Sequence, residues 1–153
     1  MSSLKRIFLL TLILLGCAGV VAPLGAEESA KSKYLIVLQA GRESHEGMAR
    51  AVHAFLYSRE LKASGYEVVL MFDGAGTEWV HELTDPGSES PILSAYEKFR
   101  KEAGIQEIVC DYCAGAFHVK QELKERNIQM TSEYEGHPSI AKWADQGYQI
   151  LIL

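Results

Sequence analysis

Apolar positions fall in blocks along this chain, separated by polar stretches. Tyr34 to Leu38 is an unbroken apolar run, the pattern of a strand buried on both faces. Gly41–Glu46 is polar and predicts a loop. From Gly47 to Ala63, Met48, Val52, Phe55, Leu56 and Arg59 recur at helical spacing, and Gly65 closes that helix. Val68–Phe72 predicts a second strand, followed by the small-residue stretch Asp73–Gly76. Thr77–Leu83 predicts a short helix, and Thr84–Ser90, with Pro86 and Gly87, a loop. Ser90 then reads as an N-cap with Pro91 at the first helical position. Ile92, Tyr96, Phe99 and Ala103 form the buried stripe of that helix, which Gly104 ends.

The pattern continues with a third strand at Glu107–Cys110 and a helix from about Cys113 to Arg126 that buries Phe117 and Leu123. Asn127–Met130 predicts a short fourth strand. Pro138 and Ser139 open a last helix with Ile140, Trp143 and Ala144 inward, Gly147 stops it, and Tyr148–Leu153 is a final apolar strand. Strands alternating with helices predict an α/β fold: a single three-layer domain over residues 34–153, flavodoxin/Rossmann-like, with a mainly parallel sheet of about five strands. In such sheets chemistry gathers at the carboxyl ends of the strands. Four loops lie there: Gly41–Glu46, Asp73–Gly76, Cys110–Cys113 and Thr131–His137.

The first 26 residues do not fit this alternation. Lys5 and Arg6 precede an apolar run from Ile7 to Leu15 interrupted only by Thr11, and small residues lead to Leu24-Gly25-Ala26. This predicts a secretory signal peptide cleaved after Ala26, with residues 27–33 a linker and a periplasmic or secreted mature protein. An alternative is a lipoprotein acylated at Cys17, since Leu14-Leu15-Gly16-Cys17 resembles a lipoprotein box; the stretch after Cys17 stays apolar where a tether would be polar. The run is short for a spanning helix, so no membrane span is expected in the mature form. Cleavage would remove Lys5 and Arg6 and no acid, leaving 13 basic against 20 acidic residues, a net charge of −7. That balance argues against nucleic acid as a partner.

Without residues 1–26 only two cysteines remain, Cys110 and Cys113. A disulfide closing so short a loop constrains the unfolded chain little, so chemistry explains the pair better than stapling. A helix N-terminus favours a thiolate, which points to Cys113 near the first helical position, while Asp111 opposes it. A metal would need two more ligands, with His118 and His137 nearest in sequence, and a second Cys-x-x-Cys is absent; no metal or other cofactor is expected. His118, His45, Asp73 and His137 are candidates for modulating the thiolate or binding ligand. A thioredoxin-like arrangement fits poorly, because the pair follows the third strand and Pro138 precedes a helix. Two inert buried thiols are the plain alternative.

Several features occur together: the Ile36-Val37 strand with Gly41 and Glu46-Gly47 after it, the Met71-Phe72-Asp73 strand end, Val109-Cys110-x-x-Cys113, and Ile140 to Trp143 before an apolar strand. In these the domain resembles the DsrE/DsrF-like sulfur-relay family, particularly its YchN-like branch. The resemblance implies a cysteine that accepts sulfur as a persulfide, a sulfur donor or acceptor protein or small thiol as partner, and a homotrimer or hexamer. It also implies Cys110 as the sulfur-bearing thiol and Cys113 as its neighbour or resolving thiol. Trp79 and Val80 are candidates for an exposed apolar interface. Two departures stand out: Phe117-His118 occupies the place of a frequent Arg-Gly, and export would put a relay protein in an oxidising compartment. The same residues admit a dithiol–disulfide oxidoreductase, or a ligand- or metal-binding module without turnover.

Overall fold

The computed structural model describes residues 31–102 and 104–153; the expected signal peptide, its lipoprotein alternative at Cys17 and the expected inward placement of Ala103 lie outside them. Four parallel strands, β1 (Lys33–Leu38), β2 (Glu67–Phe72), β3 (Gln106–Val109) and β4 (Tyr148–Ile152), lie in the order β3-β2-β1-β4. The register runs in step, with Leu38 opposite Phe72 and Phe72 opposite Val109. Side chains alternate between the two faces. Ile36, Leu38, Leu70 and Phe72 pack on one face against Phe55, Trp79, Phe99 and Leu123. These come from α1 (His45–Ala63), α2 (Thr77–Leu83), α3 (Leu93–Arg100) and α5 (Lys120–Glu125), with α4 (Asp111–Ala116) adding Ala114 to the same cluster. On the other face Leu35, Val37, Val69 and Met71 meet Trp143 of α6 (Ile140–Asp145). The result is a three-layer α/β domain.

The sheet has four strands where five were expected. Residues 127–130 form no strand because the helix cap uses them. Asn127 takes the left-handed conformation (φ 58°), and Ile128 N–H donates back to the Leu123 carbonyl at 2.9 Å. Only Thr131 then pairs, in an isolated bridge with Cys110. Residues 113–126 are likewise two helices rather than one. His118 (φ 59°) is the left-handed residue after α4, and Val119 N–H closes on the Ala114 carbonyl at 2.9 Å. The break leaves Phe117 exposed instead of buried.

Other expectations shift for local reasons. α1 starts at His45, because the Ser44 side chain accepts the Gly47 N–H at 3.0 Å. Its buried side is Gly47, Ala51, Ala54, Phe55 and Ser58, whose small side chains let the helix lie close on the sheet, while Leu56 faces out. Ser90 does not cap α3; its carbonyl accepts Leu93 N–H in a turn before the helix. Ile140 and Ala144 are exposed, and α6 turns only Trp143 inward. Trp79 and Val80 are buried, with Trp79 Nε1 donating to the Ala40 carbonyl at 3.0 Å, so they form no surface patch. Among the described residues no helix is long and apolar enough to cross a membrane.

Backbone contact fixes the turn after β2. A Cβ on Gly76 would lie 2.0 Å from the Leu38 carbonyl oxygen, so only glycine lets this turn close over the end of β1. Gly76→Ala should therefore destabilise the protein by about 2–3 kcal/mol, read as a lowered urea midpoint. An unchanged midpoint would show that the turn moves freely.

Candidate functional site

The carboxyl ends of β2 and β3 bring the reactive groups together. Asp73 directly follows β2, held by its N–H to the Leu38 carbonyl at 3.0 Å, and Cys110 directly follows β3, held in the same way to Phe72. Cys110 is the N-cap of α4, and its sulfur accepts the Cys113 N–H at 3.4 Å. One turn on, Cys113 turns back towards β2, with its thiol 3.1 Å from Asp73 Oδ1.

His137 arrives on a tight hairpin. Tyr134 and His137 bridge each other, and the two residues between them, Glu135 (φ 49°) and Gly136 (φ 90°), are both left-handed, as a type I′ turn requires. Tyr112 N–H donates to the Gly136 carbonyl at 3.0 Å, and the Tyr112 ring lies 4.6 Å from the His137 ring. These contacts set His137 Nδ1 at 3.3 Å from Cys110 Sγ, 3.6 Å from Cys113 Sγ and 4.0 Å from Asp73 Oδ1.

Of the six residues expected at the site, four meet: Asp73, Cys110, Cys113 and His137 have one ligand-type atom each, all within 4.8 Å of one another. His118 and His45 do not join them. His118 is exposed at the end of α4, and His45 is exposed at the start of α1, beside a separate cleft with Arg42 and Glu82. The sequence did not point to Gln39, whose amide donates to Asp73 Oδ2 at 2.9 Å and leaves Oδ1 to the thiol. Nor did it point to Tyr112 as the ring that holds His137. The one available signal was Glu135-Gly136, a turn pair just before a histidine.

The Asp73 carboxylate brings negative charge to this cluster. Each nearby lysine is matched elsewhere, Lys120 to Asp111 and Lys142 to Glu133, both at 2.6 Å. Both cysteines are buried and free. Burial pushes the Cys110 thiol far up, with the neighbouring Cys113 sulfur adding to the shift and the Cys113 N–H opposing it. Burial also raises Cys113; the Asp73 carboxylate adds to this, while the Cys110 side chain and the Gly74 N–H oppose it. For Asp73 itself burial works against the charge. Hydrogen bonds from Gln39, from both thiols and from Gly74 N–H outweigh it, and hold the carboxyl below its usual range. The arrangement stores protons on sulfur beside a fixed carboxylate and an imidazole ring.

Next to this cluster a cavity of about 420 Å³ opens between Met71, Pro138 and Ile140, with Asp73 and His137 as its polar end. Its size suits a small ligand.

The family model described as DsrE/DsrF-like matches residues 32–153. An uncharacterized protein of Methanocaldococcus jannaschii is 31% identical over 111 residues, covering 72% of this chain and 86% of that protein.

Removing the Asp73 charge should free the thiols. Asp73→Asn should raise the alkylation rate of the native, reduced protein at pH 8 several-fold. The stability profile should respond as well. A thiol whose folded pKa is raised stabilises the fold while protonated; that contribution is full below the unfolded value of about 8.5 and is lost as pH rises past it. The decline in stability above pH 8.5 should be shallower in Asp73→Asn. Equal alkylation rates in the two proteins would show that Asp73 does not control the thiols.

Proposed function

This chain belongs to the DsrE/DsrF-like family, and from that membership we propose that it is a sulfur-handling protein carrying or transferring sulfur as a persulfide on Cys110. The observation that supports Cys110 is the different hydrogen bonding of the two sulfurs. Cys110 accepts the Cys113 N–H and lies 3.3 Å from His137 Nδ1, whereas Cys113 lies farther from that nitrogen, at 3.6 Å, and has its thiol 3.1 Å from Asp73 Oδ1. Burial disfavours a resting thiolate at Cys110 more strongly than at Cys113. A resting thiolate is unnecessary if the proton leaves for His137 as the sulfur attacks.

In that step Cys110 sulfur attacks the outer sulfur of a donor persulfide and its proton passes to His137. The donor's S–S bond breaks, the donor leaves as a thiolate that takes the proton back from His137, and Cys110 is left as the persulfide. An acceptor thiolate then attacks the outer sulfur and regenerates Cys110. Cys113 supplies a second exit: it attacks the inner sulfur, expels hydrosulfide and closes the Cys110–Cys113 disulfide. Cys110 is fully enclosed and does not line the neighbouring cavity, but Asp73 and His137 do and both lie against the cysteines, so on this reading a donor approaches from that side. That route favours a small thiol persulfide, or the extended loop of a protein partner. The N-terminal pattern supports action outside the cytoplasm. The second reading, a dithiol–disulfide oxidoreductase, is favoured by the closeness of the two free cysteines.

After incubation with a small persulfide donor, mass spectrometry should find one added sulfur on Cys110, and Cys110→Ser should abolish it. Cys113→Ser should still load and hold its persulfide longer, because the internal exit is gone. Sulfur on Cys113 would reverse the assignment. An internal disulfide as the sole product would favour the oxidoreductase.

The assembly is a further part of this proposal. β4 is an edge strand whose Leu151 and Ile152 are 38% and 62% exposed, and an apolar edge is a pairing template. With the family resemblance, this supports a homotrimer or hexamer. Light scattering at micromolar concentration should report a multiple of the single-chain mass, and a monomer mass would rule the assembly out.

A further inference from the structure

Asp73, Cys110, Cys113 and His137 present two sulfurs, one imidazole nitrogen and one carboxylate oxygen to a common point. We propose that these four residues form a tetrahedral site for a divalent zinc ion, a reading that does not rest on the proposed sulfur transfer. A tetrahedron with Zn–S of about 2.3 Å and Zn–N or Zn–O of about 2.0 Å has edges of roughly 3.3–3.8 Å. The separations here are 3.3 Å for Cys110 to His137, 3.6 Å for Cys113 to His137, 3.1 Å for Cys113 to Asp73 and 4.0 Å for His137 to Asp73. The remaining two edges, Cys110 to Cys113 and Cys110 to Asp73, lie within 4.8 Å, so the ligands need to draw together by at most about an ångström or slightly more to close the figure. Three of the ligands come from backbone positions fixed by the ends of β2 and β3 and the first turn of α4, and the fourth from the hairpin clamped by Tyr112.

The groups around these ligands are arranged as metal sites arrange them. Gln39 holds Asp73 Oδ2 and leaves Oδ1 directed at the centre, and the Tyr112 ring orients the His137 ring. Charge points the same way. A carboxylate and two ionisable thiols converge where Lys120 and Lys142 are already paired to Asp111 and Glu133, so a cation is the missing complement. Binding would release the two thiol protons to solvent, leaving two thiolates, one carboxylate and a neutral imidazole around the ion. This mixed set suits borderline zinc. A cuprous ion would take the sulfurs and leave Asp73 unused, and magnesium or calcium would decline the thiolates. Zinc on both sulfurs would also block persulfide loading and disulfide closure, since neither thiol is then free to attack.

Cobalt(II) tests the site, because a thiolate-bound tetrahedral ion gives charge-transfer and intense visible bands. Titrating the anaerobic, fully reduced protein with cobalt should give these bands saturating at one equivalent per chain, and zinc should bleach them. His137→Ala and Asp73→Asn should each weaken binding by more than the roughly 10- to 100-fold expected of Gln39→Ala, while His118→Ala should match the wild type. Circular dichroism confirms that each variant is folded before its titration is scored. Absence of thiolate bands at equimolar cobalt, or equal affinity in His137→Ala, would overturn the site. Persulfide loading is measured separately on metal-free protein, so either reading can fail without the other.

Discussion

The site depends on one carboxylate placed where it would ordinarily be costly. Asp73 sits at the end of β2, partly buried, facing two thiols and an imidazole, and among the described residues no lysine or arginine pairs with it. Its charge survives because four groups donate to it: the Gln39 amide, the two thiols and the Gly74 N–H. Burial, reinforced by the same charge, holds both thiols in their protonated form. The Gly76 turn sustains this by pressing the start of α2 against the end of β1, which fixes the backbone on which Asp73 stands. Reactivity at the cysteines is therefore set from the neighbouring strand as much as from their own helix.

That constraint links the chemistries the site can support. A protonated, enclosed thiol pair is quiet at neutral pH until something removes a proton. His137 can do this transiently for a sulfur donor, and a metal ion can do it permanently by replacing both protons. Oxidation does it by joining the sulfurs. These outcomes exclude one another because they use the same two sulfur atoms. Membership in the DsrE/DsrF-like family supports the first as the working role.

Much of the fold could be read from the chain because buried parallel strands write themselves as continuous apolar runs, and β1, β2 and β4 each lie within a residue or so of their runs. The errors came where local capping overrode periodicity. Residues 113–126 look like one amphipathic helix, yet His118 adopts a left-handed cap and splits it; Asn127 does the same and removes the expected strand. Trp79 stands beside loop residues in the sequence, but its ring packs into the main hydrophobic cluster and its Nε1 donates to the Ala40 carbonyl. The site was half legible. Topology put Asp73, His137 and the cysteines on one sheet edge, where their side chains meet, but it offered His45 and His118 on nearly equal terms. What separates His137 from them is the hairpin through Glu135 and Gly136 and the Tyr112 ring, both three-dimensional contacts between segments that periodicity does not relate.

The central claim is that burial and the Asp73 carboxylate keep both thiols protonated at neutral pH. An NMR titration of the cysteine ¹³Cβ resonances in reduced, metal-free protein measures this directly, because each shift reports its own sulfur. Both resonances should stay at their thiol positions through neutral pH and begin to move only well above the ordinary cysteine value of about 8.5. Either resonance titrating at or below that value would contradict the account.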